Sequence, residues 1–123
     1  MVSFEEAGLM LDEIADAIPE VLYRQLNGGV NLVPQTKTHP VPGAPDLFVM
    51  GEYHHDAMGR YILLYYGSLS RAYGHFSKKA FREKLREVLV HELTHHNESL
   101  AGVKDLEVKD AMFLAEYIED ETE

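Results

Sequence analysis

The sequence contains no cysteine and no tryptophan. Without thiols there can be no disulfide framework, cysteine nucleophile, thiolate zinc ribbon or iron–sulfur cluster. Bases are scarce: 11 Lys and Arg stand against 21 Asp and Glu, a formal net charge of −10. A nucleic-acid binder needs cations gathered on one surface to neutralise phosphates, so the balance argues against that class of partner. No apolar run approaches the roughly 18 residues of a membrane span. Met1–Glu6 lacks the basic and apolar regions of a secretory leader, so the expectation is a cytoplasmic chain with no membrane partner.

What is present is 123 residues, 46% of them hydrophobic, with seven histidines. That length predicts one domain, 1–123, able to bury a core without staples. Glu5, Glu6, Asp12, Glu13, Asp16 and Glu20 give the first twenty residues six acids and no base. Phe4, Leu9 or Leu11, Ile14 with Ala15, and Ile18 recur near helical spacing, predicting an amphipathic helix that stops or kinks near Pro19. A second short helix is expected over residues 21–26, closed by Asn27-Gly28-Gly29. Residues 30–33 read as a short strand. Pro34, Pro40, Pro42 and Pro45 then mark a long irregular loop, expected to be a surface connection.

Residues 47–53 and 61–66 are rich in β-formers, and residues 54–60 between them read as a hairpin connection. That places His54 and His55 in an exposed turn. Leu69 to Tyr73 is expected to form one helical turn. From Ser77 to about Leu100 the pattern is helical, and a final helix is expected from about Asp105 to Ile118. Residues 119–123 are a charge run expected to be solvated. This order predicts an α+β domain with one small mixed sheet packed on helices.

The long helix carries His91-Glu92-Leu93-Thr94-His95, followed directly by His96. At about 100° per residue, His91 and His95 project roughly 40° apart. Two imidazoles one turn apart can converge on a single tetrahedral ion, for which zinc is the usual occupant. Glu92 lies about 100° round from His91, too far to ligate easily, yet near enough to hold a metal-activated water as general base. Phe81, Leu85, Val88, Leu89 and Leu93 form the apolar stripe, which puts the histidines at its edge and Glu92 and His96 within it. A carboxylate placed there needs a polar partner. His96 reads as a core histidine with its own hydrogen bonds. Tyr53, Tyr65, Tyr66 and Tyr73 read as packing residues, with one tyrosine near the metal able to stabilise a tetrahedral intermediate. Lys78, Lys79, Arg82, Lys84 and Arg86, interleaved with Glu83 and Glu87, read as a solvated face making i,i+4 pairs.

With these residues the chain resembles the minimal zincin-like metallopeptidases, small single-domain proteins found mainly in bacteria. The resemblance runs through Phe4-Glu5-Glu6, Ala17-Ile18-Pro19-Glu20, Met50-Gly51-Glu52-Tyr53 and Ile62-Leu63-Leu64-Tyr65-Tyr66-Gly67. It is most specific at the doubled histidine of residues 90–96. It implies a compact zincin-like fold, a small sheet whose edge strand runs beside the motif helix, with His91 and His95 as zinc ligands and Glu92 catalytic. Members commonly continue H-E-x-x-H-H-x-G-x-x-D, where glycine turns the chain and aspartate is the third ligand. Here those positions are Glu98 and Ala101. The helix is therefore expected to run on about one turn to Gly102, with Asp105 returning as third ligand. Asp105 could equally cap the last helix. The alternatives are Glu98, which shares the histidine face but lies about 10 Å further along the axis, and Glu107 or Asp110 on the last helix.

The expected activity is hydrolysis of peptide bonds in a peptide or protein substrate by a Zn²⁺-activated water. The substrate would be held by β-augmentation, with residues 61–66 as the edge strand. The small size and the missing glycine motivate a rival expectation, a metal-stabilised binding or regulatory module without turnover. A third is a structural helix with no metal. No sequence feature sets the oligomeric state.

Overall fold

A computed structural model describes residues 1–39, 43 and 47–101. Helix α1 spans Phe4–Ala17. Its start is fixed by Ser3 and Glu6. The Ser3 hydroxyl accepts from the Glu6 amide at 3.1 Å, and the Glu6 carboxylate accepts from the Ser3 amide at 3.3 Å. This reciprocal cap satisfies two amides that no helical carbonyl can reach. Ala7, Leu11 and Ile14 form the buried face, whereas Leu9 is 66% exposed, so Leu11 takes the core position. Extended Ile18 and Pro19 stop the helix. The short helix expected over 21–26 is only a 3-10 turn, Glu20–Tyr23. So few residues do not repay helix nucleation, and the turn is held instead by tertiary bonds such as Tyr23 Oη donating to Ala15 O at 2.8 Å.

Strand β1 is Val30–Val33, as expected. β2 (Lys37–Thr38) and β3 (Phe48–Val49) pair antiparallel in a small ribbon. β2 sits in the segment expected to be irregular. Its backbone is captured by buried Ser68, whose Oγ accepts from Lys37 N at 2.8 Å and donates to Lys37 O at 3.0 Å. β4 is Gly51–Asp56 and β5 is Gly59–Tyr65. The strand expected over 47–53 thus divides at Met50 into β3 and β4.

The hairpin between β4 and β5 is far tighter than expected. Pairing runs from Gly51↔Leu64 to Asp56↔Gly59, leaving Ala57 and Met58 as the turn. Asp56 Oδ1 accepts from Met58 N at 2.8 Å, and Gly59 takes the positive φ of 105° that the tight turn requires. His54 and His55 therefore lie on β4 rather than in a loop. His55 is exposed, while His54 is half-buried and stacks on Tyr61 with ring centroids 4.9 Å apart. The three-stranded sheet has the order β1-β5-β4, with β5 parallel to β1 from Val30↔Ile62 to Val33↔Tyr65. This corrects the edge assignment. Residues 62–65 are paired on both sides and cannot accept another strand; β1 and β4 are the outer strands, and β4 is the one that lies against α3.

Helix α2 is Tyr66–Tyr73 and α3 is Lys78–Ala101. Ser77 opens α3, its Oγ accepting from Ala80 N at 3.1 Å. Phe81, Leu85, Leu89 and Leu93 repeat every four residues and are buried with Ile62 and Leu64 of β5, the α1 face, Leu22 and Leu69. The basic stretch on α3 is only partly a self-paired face. Lys84 pairs with Glu87 at 3.2 Å, but Lys78 reaches Glu6 of α1 at 2.8 Å and Arg82 reaches Glu13 at 3.6 Å, while Arg86 is buried. The acidic face of α1 and the bases of α3 are thus partly one interface. The fold is α+β, as expected. Among the described residues no helix is long and apolar enough to cross a membrane. The final helix expected over 105–118 and the tail 119–123 lie outside the described residues.

Leu64 is fully buried between sheet and helix. Leu64→Ala is expected to cost about 2–5 kcal/mol, read as a lowered denaturation midpoint with unchanged slope.

Candidate metal centre

The site is built where α3 passes β4. One turn separates His91 from His95, both exposed, and their Nε2 atoms lie 3.0 Å apart. The rings are perpendicular, with centroids at 4.5 Å and an interplanar angle of 88°. Two nitrogens at about 2.0–2.1 Å from one tetrahedral ion would be roughly 3.3 Å apart. The pair therefore fits that geometry after opening by a few tenths of an ångström. Imidazole is also the nitrogen donor zinc favours.

Glu92 is 7% exposed. Burial pushes its carboxyl above the ordinary range, an effect that nearby His91 and His95 oppose and Glu52 reinforces. Its placement follows from Gly51. A Cβ at residue 51 would lie 2.8 Å from Val88 Cγ1, 2.9 Å from Leu64 Cδ2 and 3.3 Å from Glu92 Cγ. The strand can approach the helix only because residue 51 has no side chain. A cavity of about 260 Å³ opens here, lined by Met50, Gly51, Glu87, Val88, His91 and Glu92. One histidine, the buried carboxylate and the start of β4 thus share one wall.

His96 points the other way, fully buried. Its Nε2 meets Arg24 O at 2.8 Å and its Nδ1 meets Tyr53 Oη at 2.9 Å. A carbonyl can only accept, so Nε2 carries the proton. Burial lowers the basicity of the ring, the Arg24 carbonyl partly offsets this, and the charges of Arg60 and Arg24 lower it further. The ring is therefore neutral, and Nδ1 accepts from the Tyr53 hydroxyl. Tyr53 Oη in turn accepts from Arg60 Nη1 at 2.9 Å. The sequence reading took Tyr53 for a packing residue and did not single out Arg60, because their hydrogen bonds join residues far apart in the chain.

Glu52 alternates to the opposite face of β4. Its Oε1 accepts from Tyr65 Oη at 2.6 Å and lies 3.1 Å from His54 Nε2, while Oε2 takes Lys37 from β2. Burial opposes its charge, but Lys37, Tyr65 and His54 together hold the carboxyl well down, to about 2. Tyr65 is thus engaged with a carboxylate, as Tyr53 is with a histidine.

The third ligand is not brought to the pair by the described residues, among which no group of three or more His, Asp or Glu side chains gathers around a common point. Glu98 is exposed on α3 and does not join His91 and His95. Asp105, Glu107 and Asp110 lie outside the described residues.

No protein-family model matches the chain. No curated protein matches it either. Among solved structures it is similar to a conserved hypothetical protein from T. thermophilus, with 32% identity and a TM-score of 0.67 over 81% of this chain and 98% of that one. At that identity and coverage the chain belongs to the same family as the thermophile protein, whose description names no activity or ligand.

Gly51→Ala is expected to destabilise the protein by about 1–3 kcal/mol through overpacking. Gly8→Ala is the control: nothing lies within 4 Å of its Cβ in mid-α1, and it should be neutral or stabilising. Denaturant titration of both variants separates the outcomes. Glu52 generates a pH expectation. Its folded-state value lies below its ordinary 4.5, so its contribution is present above 4.5 and is lost as pH falls toward about 2. Acid titrations should show Glu52→Gln less sensitive to pH than wild type within that window; equal sensitivity would exclude this network as a source of acid lability.

Proposed function

We propose that the chain is a zinc-dependent metallopeptidase of minimal zincin type, acting in the cytoplasm. One observation carries the reading: two imidazole Nε2 atoms 3.0 Å apart on a helix whose intervening glutamate is buried against the neighbouring strand. His91 and His95 would hold Zn²⁺, with Asp105 proposed as the third ligand. Bound zinc supplies Lewis acidity and brings the pKa of water toward about 7.

The remaining work falls to the protein. Glu92 would orient the attacking water in the cavity beside His91, take its proton as the oxygen adds to the peptide carbonyl, and pass that proton to the departing amine as the C–N bond breaks. Because β5 is paired on both sides, an extended peptide would add to an outer strand, and of the two it is β4 whose first residue, Gly51, lines the same cavity. Main-chain bonding along that strand would set the peptide's register relative to His91 and Glu92.

Glu92→Gln tests the mechanism. In tag-free protein it should keep one zinc per chain by elemental analysis and lose about 10²–10⁴-fold in cleavage of a broad peptide library. Cleavage that survives the substitution would sink the general-base role. Wild-type protein with stoichiometric zinc and no cleavage would establish the non-catalytic metal module instead, and protein without zinc would remove the metal from the account.

A further inference from the structure

His96 occupies a core position that an apolar side chain of similar size could fill, yet it carries two polar atoms into the interior. A buried imidazole is costly unless both nitrogens are satisfied. Here both are, and by different elements. Tyr53 comes from β4 and Arg60 from β5, while Arg24 follows the 3-10 turn. The donor order is fixed throughout: Arg60 Nη1 to Tyr53 Oη, Tyr53 Oη to His96 Nδ1, and His96 Nε2 to Arg24 O. Arg60 Nη1 also donates to Ser99 Oγ at 2.6 Å, so the chain of bonds grips α3 twice. The next residue, Asn97, donates to Leu22 O at 3.0 Å and takes hold of the same turn.

We propose that Tyr53 is a positioning residue for the His91–His95 pair, its hydroxyl fixing the rotation of α3 about its own axis through His96. His96 directly follows His95, so any turn of the helix at one is a turn at the other. An imidazole tip stands several ångströms from the helix axis, and a 10° rotation displaces it by roughly 1 Å, more than a metal site tolerates. Close packing of the apolar stripe opposes such a turn, but contacts between leucines lack directional preference. Hydrogen bonds from three elements do not. Tyr53 also lies two residues from Gly51, so the strand that lines the cavity sets the angle at which the histidines meet it.

The metal-binding consequence rests on the proposed function above, but ring placement is measurable without metal. Tyr53→Phe keeps the aromatic ring and removes only the hydroxyl. In metal-free protein, long-range ¹H–¹⁵N spectra of the imidazoles should show the His91 and His95 ring signals shifted or broadened. Titration with Co²⁺ should show affinity reduced about tenfold and altered ligand-field bands. Leu11→Ala, which loosens the core at α1, is the control for general destabilisation and should move neither. Wild-type ring signals in Tyr53→Phe would overturn the proposal, as would equal effects from Leu11→Ala. So would an unchanged Co²⁺ affinity in a protein that binds the metal. A wild-type protein that binds no Co²⁺, with ring signals that still move in Tyr53→Phe, would overturn the metal reading and leave the positioning role standing.

Discussion

Strand β4 lies against helix α3 at a distance set by a missing Cβ. With residue 51 reduced to backbone, Val88, Leu64 and Glu92 close over the strand. Much of the site follows from that contact. It buries the Glu92 carboxylate without removing it from the cavity, and it brings the start of β4 beside His91. Two residues along, the same approach puts the Tyr53 hydroxyl within reach of His96. Close packing of strand on helix normally excludes polar groups. Here the space freed by one glycine admits a carboxylate, which raises the energetic cost of the interface and gives it chemistry.

Those elements whose signal is local were legible in the sequence. β1 falls on Val30–Val33 because Val30, Leu32 and Val33 stand in a short run bounded by Gly29 and Pro34. α1 and α3 follow from apolar residues at helical spacing. The hairpin was drawn too loose because His54, His55 and Asp56 have little intrinsic strand preference. Their pairing with Tyr61, Arg60 and Gly59 supplies what propensity does not. β2 is held by a serine thirty-one positions away, a bond no local pattern announces. The central place of β5 left no such trace, because apolar patterning reports which face is buried, as with Ile62 and Leu64 against half-buried Leu63, and not which edges are paired.

At the site, spacing alone placed His91 and His95 on one face, and the helical wheel placed Glu92 and His96 in the buried stripe. Those inferences concern residues on one helix, where geometry is fixed by the helix itself. The residues that hold the helix in place were not legible, because Tyr53, Arg60 and Arg24 come from three other elements. Glycine within a strand was the available hint, since it commonly marks a close approach of another chain segment. Asp105 belongs to the part of the chain outside the described residues, and its role stays with the chemical argument for a carboxylate ligand.

The sheet order bears on how the molecule assembles. β4 and β5 are joined by two residues, so their pairing closes almost no loop and can form on a microsecond timescale. β1 joins the other side of β5 in parallel, across the 32 residues from Val30 to Ile62, and its closure entropy is larger. The strand that flanks the histidines is therefore encoded locally, while the strand that completes the sheet stands far off in sequence. A lesion in β1 would remove a pairing that closes a long loop, whereas a lesion at the Ala57–Met58 turn would act on the local pairing of the strand that lies beside the histidine helix.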